Sequence, residues 1–292
     1  MSRKLVIKGK SIRRLNVTAS SSQLLANDPT DNTNGRVIDG YVRNSEITIF
    51  GPDGALLGRG VSQRDGSFNI EIDRITAGVI QVVCTGGVDI STEKPFAGVL
   101  KTLTVKEENN DTISAIVTPI TTLVAGVVEI SDSNEVVTVS DIQAAKANIA
   151  SSLNINTAEI ETDFIQNKNI KVAKRSSQLA TISKLTLQEI SKNTSRTTAA
   201  ESVRKALAEA INDSTTFNLA DTGSIQQVLT KASTVAAEIT QDPTIISTVA
   251  ENSEAVANSI QVVTNTIDQI NEETSGSTPV DPDAAIEAVA LI

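Results

Sequence analysis

The sequence predicts an α+β protein: an N-terminal small antiparallel β-sandwich followed by an all-α helical bundle. Three observations carry that expectation. Apolar residues alternate with a period of two across residues 35–108, and Gly- and Asp-containing turns separate the runs. From residue 112 onward the apolar spacing lengthens to three and four residues, the repeat of an amphipathic helix. Hydrophobic residues make up 39% of the 292 while aromatics make up 2%, so the core must be aliphatic.

Residues 1–34 read as an arm. Arg3, Lys4, Lys8, Lys10, Arg13 and Arg14 make its start basic in a chain whose net charge is -10, and Thr18–Asn34 has the Ser/Thr/Asn/Asp composition of a loop. A basic leader on an acidic protein implies docking onto an acidic partner surface; a solvated terminus is the plain alternative. The sandwich is expected over 35–108. Val37–Val42 and Glu46–Phe50 read as strands, and Gly51-Pro52-Asp53-Gly54 as a turn. Ala55–Ser62 continues to the Asp65-Gly66 hairpin signal, after which Phe68–Ile72, Val79–Cys84 and Leu100–Val105 supply further strands.

The helical domain is expected over 112–272. Thr118-Pro119 opens the first helix, with Pro at the first helical position, where its missing N–H costs nothing. Ser140-Asp141 opens the second, Ile170–Ile190 forms a longer amphipathic stretch, Ser195 or Thr197 opens Ala199–Ile211, and Ser224 precedes another apolar stripe. Asp242-Pro243 starts the last long helix, in which Ile246, Val249, Ser253, Val256, Ile260, Val263, Ile267 and Ile270 follow heptad spacing. Such a seam packs within an intramolecular bundle, the reading favoured here because four other amphipathic helices need partners, or it joins copies of the chain into a homo-oligomer. Residues 273–292 form a polar tether ending in an apolar segment, either a strap returning to the core or a docking peptide.

Composition narrows the chemistry. The chain contains no His, which removes Ser/His/Asp and Cys/His triads and imidazole metal sites. Cys84 is the single cysteine, set in an apolar run, and reads as a small buried hydrophobe. An acidic chain without aromatic clusters lacks the charge and stacking surfaces of a nucleic-acid binder. The N-terminus lacks the apolar stretch of a secretory signal, and no window is apolar for long enough to span a membrane. Gly58-Arg59-Gly60 is not a phosphate loop, since no Gly-Lys-Ser/Thr follows. Thr30–Gly35 resembles the opening of a calcium loop but places Thr at the first ligand position and Tyr41 at the twelfth. The carboxylates Asp39, Glu71, Asp73, Glu159, Glu161, Asp163, Glu251 and Glu254 read as surface groups. No catalytic residue, cofactor site or metal site is expected.

One pattern points further. Val37–Val42, Ile47–Phe50, Gly66-Ser67-Phe68 and Val117-Thr118-Pro119-Ile120-Thr121-Thr122-Leu123-Val124 occur in that order. The arrangement resembles a carboxypeptidase-regulatory-like (transthyretin-like) β-sandwich leading into a Thr-Pro-Leu-Thr-Thr-Leu helical module. That module belongs to bacterial surface proteins and to virion structural proteins of marine phages, especially those of cyanobacteria; here Ile120 replaces the usual Leu. The resemblance implies a non-enzymatic phage virion structural protein, an accessory head or tail component such as a decoration, fibre or whisker-like subunit. Its expected partners are other virion proteins, bound through the basic arm and the Ile246–Ile270 seam. Its expected location is the virion, assembled in the host cytoplasm. A bacterial surface adhesin or matrix protein is the alternative.

Overall fold

The computed structural model describes residues 30–131, 136–213, 217–270 and 281–290. Strands fill the N-terminal part in the order β1 (Thr30–Val37), β2 (Val42–Arg43), β3 (Glu46–Phe50), β4 (Leu56–Val61), β5 (Ser67–Asp73), β6 (Gly78–Thr85), β7 (Val88–Asp89), β8 (Val99–Lys106) and β9 (Thr112–Val117). Two sheets face each other, β5-β1-β9 and β4-β3-β6-β8, while β2 and β7 form a small ribbon at one end. All ladders are antiparallel except β1 with β9, which run parallel. The α+β order expected from the sequence is therefore present, with one mixed sheet.

Alternation explains the sandwich. Phe68, Ile70 and Ile72 of β5 point inward while Asn69, Glu71 and Asp73 point out, and Ile47 and Ile49 of β3 meet them from the other sheet. Gly58 and Gly60 let β4 lie close over β5. A Cβ on Gly58 would stand 2.7 Å from Ile72 Cγ2, and one on Gly60 would stand 2.6 Å from Ile70 Cγ1. The Gly-Arg-Gly run is thus a packing device. Cys84 is fully buried, and burial pushes its thiol pKa well above the ordinary range.

Three expected boundaries shift. The sandwich begins at Thr30 and ends at Val117, outside the 35–108 range on both sides. Strand β1 has no apolar alternation to announce it, because its inward residues include Asp31 and Thr33, both buried. Asp31 lies 3.7 Å from the buried Lys106 ammonium and accepts from the Ile75 N–H at 3.2 Å, so this segment is a strand held by a buried ion pair rather than a calcium loop. Strand β9 alternates Ile113, Ala115 and Val117 inward, and helical spacing starts only after it. Finally, Val37–Val42 is not one strand. It turns at Gly40 and Tyr41, both at positive φ.

The helices follow: α1 (Pro119–Ser131), α2 (Val139–Leu153), a single 3-10 turn (Thr157–Glu159), α3 (Ile170–Ile190), α4 (Arg196–Asp213), α5 (Thr222–Thr240), α6 (Thr244–Asp268) and α7 (Pro282–Ala290). Polar caps fix their starts. Thr138 and Asp141 form a reciprocal capping box on α2, Asn169 caps α3, and Asp221 caps α5. The Ser195 hydroxyl accepts from Thr198 N–H at the start of α4, and the Asp242 carboxylate accepts from Thr244 N–H before α6. The C-terminal segment is a strap: Ala285, Ile286 and Val289 are buried, and the Val289 carbonyl accepts from the Ser177 hydroxyl of α3.

Helix α1 joins the two parts. Its buried face, with Ile120, Leu123, Val124 and Val127, shares one continuous core with Ile38 just after β1, with Val79 and Leu103 of the strands, and with α2–α7. Its first turn also stitches the exposed edge of β8. Lys101 N–H donates to Thr122 Oγ1 at 2.8 Å, and Thr121 Oγ1 donates to the Lys101 carbonyl at 2.9 Å. Thr118 and Thr121 cap each other, backbone N–H to hydroxyl, at 2.8 and 3.0 Å. Thr122→Val keeps the shape but strands the Lys101 N–H. We expect it to destabilise the protein by about 1–3 kcal/mol, the cost of an unsatisfied buried donor. Thr122→Ser should cost much less. Urea unfolding midpoints of the two variants check this; equal midpoints would remove the stitch from the account.

Candidate functional site

The densest polar constellation lies where the sandwich meets the helices. Its strand-side members come from the turn after β1. Gly40 sits there at φ 76°, and a Cβ on it would lie 2.6 Å from Asp89 Oδ1 and 2.8 Å from Ser91 Oγ, so only glycine fits. The loop 89–92 cradles this turn: Ile90 N–H donates to the Tyr41 carbonyl and the Ser91 hydroxyl donates to the Gly40 carbonyl. Asp89 itself accepts from the Ser91 N–H and the Thr92 hydroxyl.

On the helical side, the segment between the 3-10 turn and α3 presents Asp163. Its carboxylate receives Arg36 Nη1 at 2.8 Å and the Tyr41 hydroxyl at 3.1 Å. The Arg36 guanidinium also lies 5.0 Å from the centre of the Tyr41 ring and pairs with Asp65 at 3.2 Å. Both members of the Arg36–Asp163 pair are largely shielded, with side chains 24% and 10% exposed. One guanidinium thus ties β1, the β4–β5 turn and the helical layer together. A second knot uses Glu129 of α1, which accepts from Lys101 of β8, Gln81 of β6 and Arg204 of α4.

The titrations at the first knot are shifted. Burial, reinforced by the neighbouring Asp89 carboxylate and opposed by Lys184 of α3, pushes the Asp39 carboxyl up to about 7. Burial also raises Asp89, against the hydrogen bonds it accepts from Thr92 and Ser91. Tyr41 is pushed up to about 12 by burial and by the Asp163 charge, with Arg36 acting the other way. The sequence reading placed Asp39 and Asp163 among surface carboxylates; both are instead part-buried at this junction. Glu251 and Glu254 are exposed, as read.

The residues expected to bind partners fall in two places. Arg3, Lys4, Lys8, Lys10, Arg13 and Arg14 lie outside the described residues. Of the seam on α6, Val249, Ile260 and Ile267 are buried within this chain, Val256 and Val263 are part-buried, and Ile246 is 38% exposed. Ile245 takes the inward position at the first turn instead. A heptad stripe drifts about 20° per heptad on a straight helix, so a seam regular in sequence rotates off the packed face toward one end. The buried part of the seam packs against α5 and α3, the intramolecular alternative.

Two of the clefts among the described residues bear on the layers named above. One of about 350 Å³ lies between β8 and β9, lined by Thr102, Thr104, Glu107, Asn110, Ser114 and Glu161. Another, about 220 Å³, lies between α1, α2 and α4 beside Asn148 and Asn212. Among the described residues no group of three or more Asp, Glu or Cys is arranged to hold a metal ion, and no helix is long and apolar enough to cross a membrane. No family model, curated protein or solved structure matches the chain.

Two outcomes follow from the shifted groups. The folded Asp39 carboxyl holds its proton more tightly than the unfolded one, whose ordinary value is 3.8. Its contribution is therefore greatest below pH 4 and is lost as pH rises toward 7. Asp39→Asn should stabilise the protein above pH 7 by about 2 kcal/mol, less than the full shift implies because the carboxyl keeps contact with solvent. The same variant should change little at pH 4, and paired melts at the two pH values decide it. Tyr41 is the only tyrosine and there is no tryptophan, so phenolate absorbance reports this residue alone. Its alkaline midpoint should lie near 12 rather than 10, and Asp163→Asn should lower it.

Proposed function

We propose that the chain is a non-enzymatic virion structural protein of a phage, an accessory head or tail component that works through protein–protein contacts. The observation that carries this reading is the continuous core running from Ile38, Val79 and Leu103 through α1 into the bundle, fastened by the threonines of the Thr118–Leu123 motif. A body whose two parts are fused in this way suits a subunit that must keep its shape while neighbours press on it. The two polar knots, around Asp163 and Glu129, serve the same end. The resemblance of the Val37–Val124 pattern to modules of phage virion proteins supplies the class, and the basic residues before position 15 supply the attachment.

The arm is the part to test. The deletion must stop at residue 29, because Thr30 already pairs with Asp73 in the sheet. Chains lacking residues 1–29 should fold with an unchanged melting profile yet fail to appear in purified particles when supplied in place of the full chain. Particle proteins quantified by mass spectrometry give the readout. Normal occupancy by the shortened chain would refute anchoring by the arm, and absence of even the full chain from particles would refute the virion reading itself.

A further inference from the structure

Neither lateral side of the sandwich is closed by a ladder: β4 and β5 meet on one side, β8 and β9 on the other. Strands β8 and β9 run next to each other but belong to different sheets. Their unpaired backbone groups can be assigned from the bonds they make elsewhere. Asn32 N–H donates to the Asp111 carbonyl and Ile38 N–H to the Val117 carbonyl, so the odd-numbered residues of β9 turn their backbone toward β1. Thr112, Ser114 and Ile116 therefore turn theirs toward the cleft. Two of these groups are taken by side chains: Thr112 N–H donates to Asn110 Oδ1, and the Ser114 carbonyl accepts from the Thr104 hydroxyl. On β8, Lys101 directs its backbone to the α1 threonines, away from β6, so Leu103 and Val105 direct theirs to the same free side.

The unpaired charges beside this cleft are negative. Glu107 and Glu108 follow β8 in the turn to β9, both exposed, and neither has an ion-pair partner among the described residues. Glu161 lines the cleft with its side chain 41% exposed, paired to Lys146. Asp111, between the cleft-lining Asn110 and Thr112, is paired to Arg74. Lys146 and Arg74 are taken up in those pairs, and Lys106 is buried against Asp31 and does not reach solvent. An acidic, partly unpaired strand edge matches an extended basic segment, which gains main-chain hydrogen bonds along the edge and charge pairing at its mouth.

The chain carries such a segment outside the described residues: Arg3-Lys4-Leu5-Val6-Ile7-Lys8, apolar at its centre and basic at both ends. We propose that this segment of one copy adds as a strand to the β9 edge of a neighbouring copy, across the acidic cleft between β8 and β9. Residues 15–29 supply the reach, since fifteen extended residues span roughly 50 Å, about twice the length of an eight-residue strand. The proposal rests on the reading that copies of the chain stand side by side in an assembly, and it names the surface that one copy offers the next.

Single cysteines test it in the full chain, because Cys84 is buried with its thiol held protonated. Chains carrying Val6→Cys are mixed with chains carrying Ser114→Cys and treated with a short bis-maleimide. A cross-linked dimer of the two kinds is expected. Its yield should fall several-fold at about 0.5 M salt, where the Debye length shrinks below about 5 Å, and fall likewise when Glu107→Lys and Glu108→Lys are added. Ser259→Cys, on the exposed face of α6, should give no such dimer. Two results would overturn the proposal. One is absence of a link at Ser114, or an equal link at Ser259. The other is an intramolecular link in the double variant Val6→Cys/Ser114→Cys that persists on dilution, which would place the segment on its own sheet. A chain that enters particles yet never joins Val6 to Ser114 would remove this surface and leave the virion reading standing.

Discussion

A two-sheet sandwich that does not close into a barrel must satisfy the backbone along its edges, and here part of one edge is satisfied by side chains. The N–H and the carbonyl of Lys101 are taken by the hydroxyls of Thr122 and Thr121, in the first turn of α1. Those same hydroxyls complete the cap of that helix with Thr118. Two needs are met by one short run of sequence: the orphan N–H groups of a helix start and the unpaired groups of a strand edge. Because α1 is fixed there, its apolar face lies on the sheet and the remaining helices assemble on its other side. Replacing the threonines by apolar residues of the same shape would keep the hydrophobic pattern and lose the reason for the helix to sit at that angle.

The polar knots extend this logic. Arg36 is held between Asp163 and Asp65 and lies over the Tyr41 ring, so three segments distant in sequence share one guanidinium. Its fixed fork of donors suits such bridging better than an ammonium would. Glu129 does the converse, one carboxylate serving Lys101, Gln81 and Arg204. Hydrophobic burial alone is non-directional, and a bundle of Ala, Ile and Val faces could slide on the sheet. These directional contacts fix the register between layers. Asp39 is the exception, a carboxyl that the junction shields beside Asp89, whose own oxygens are already taken by Ser91 and Thr92.

Much of the fold was legible because it is written in period and punctuation. Phe68–Ile72 alternates, Val79–Cys84 is a short apolar run, and Asp65-Gly66 turns as its composition requires, with Gly66 N–H donating to the Gln63 carbonyl. The helices from 139 to 268 follow their apolar stripes, although Thr138 rather than Ser140-Asp141 caps α2, and α6 starts after Pro243 without a side-chain cap bond at that position. What escaped the sequence was polar and long-range. Strand β1 hides Asp31 and Thr33 inside the sandwich, where alternation of hydrophobicity gives no signal, and its pairing with β9 has no local cause. Arg36, Tyr41 and Asp163 each look like ordinary surface residues until the chain brings together positions far apart. The seam on α6 was visible, but that Ile245 rather than Ile246 faces inward at its first turn depends on the neighbours it packs against.

The parallel pairing of β1 with β9 also dictates an order of events. Residue 37 ends β1 and residue 112 begins β9, with the rest of the sandwich between them. A chain emerging at about 5–20 residues per second would leave one side of β1 without its neighbour for roughly 4–15 s. During that interval β1 can rest only on β5, and the buried pair of Asp31 with Lys106 forms late, as β8 arrives. The sandwich is thus complete only once its last strand has arrived. The threonine turn that follows at once, Thr118–Thr122, then acts as the latch on a body whose opening strand has been waiting for its neighbour.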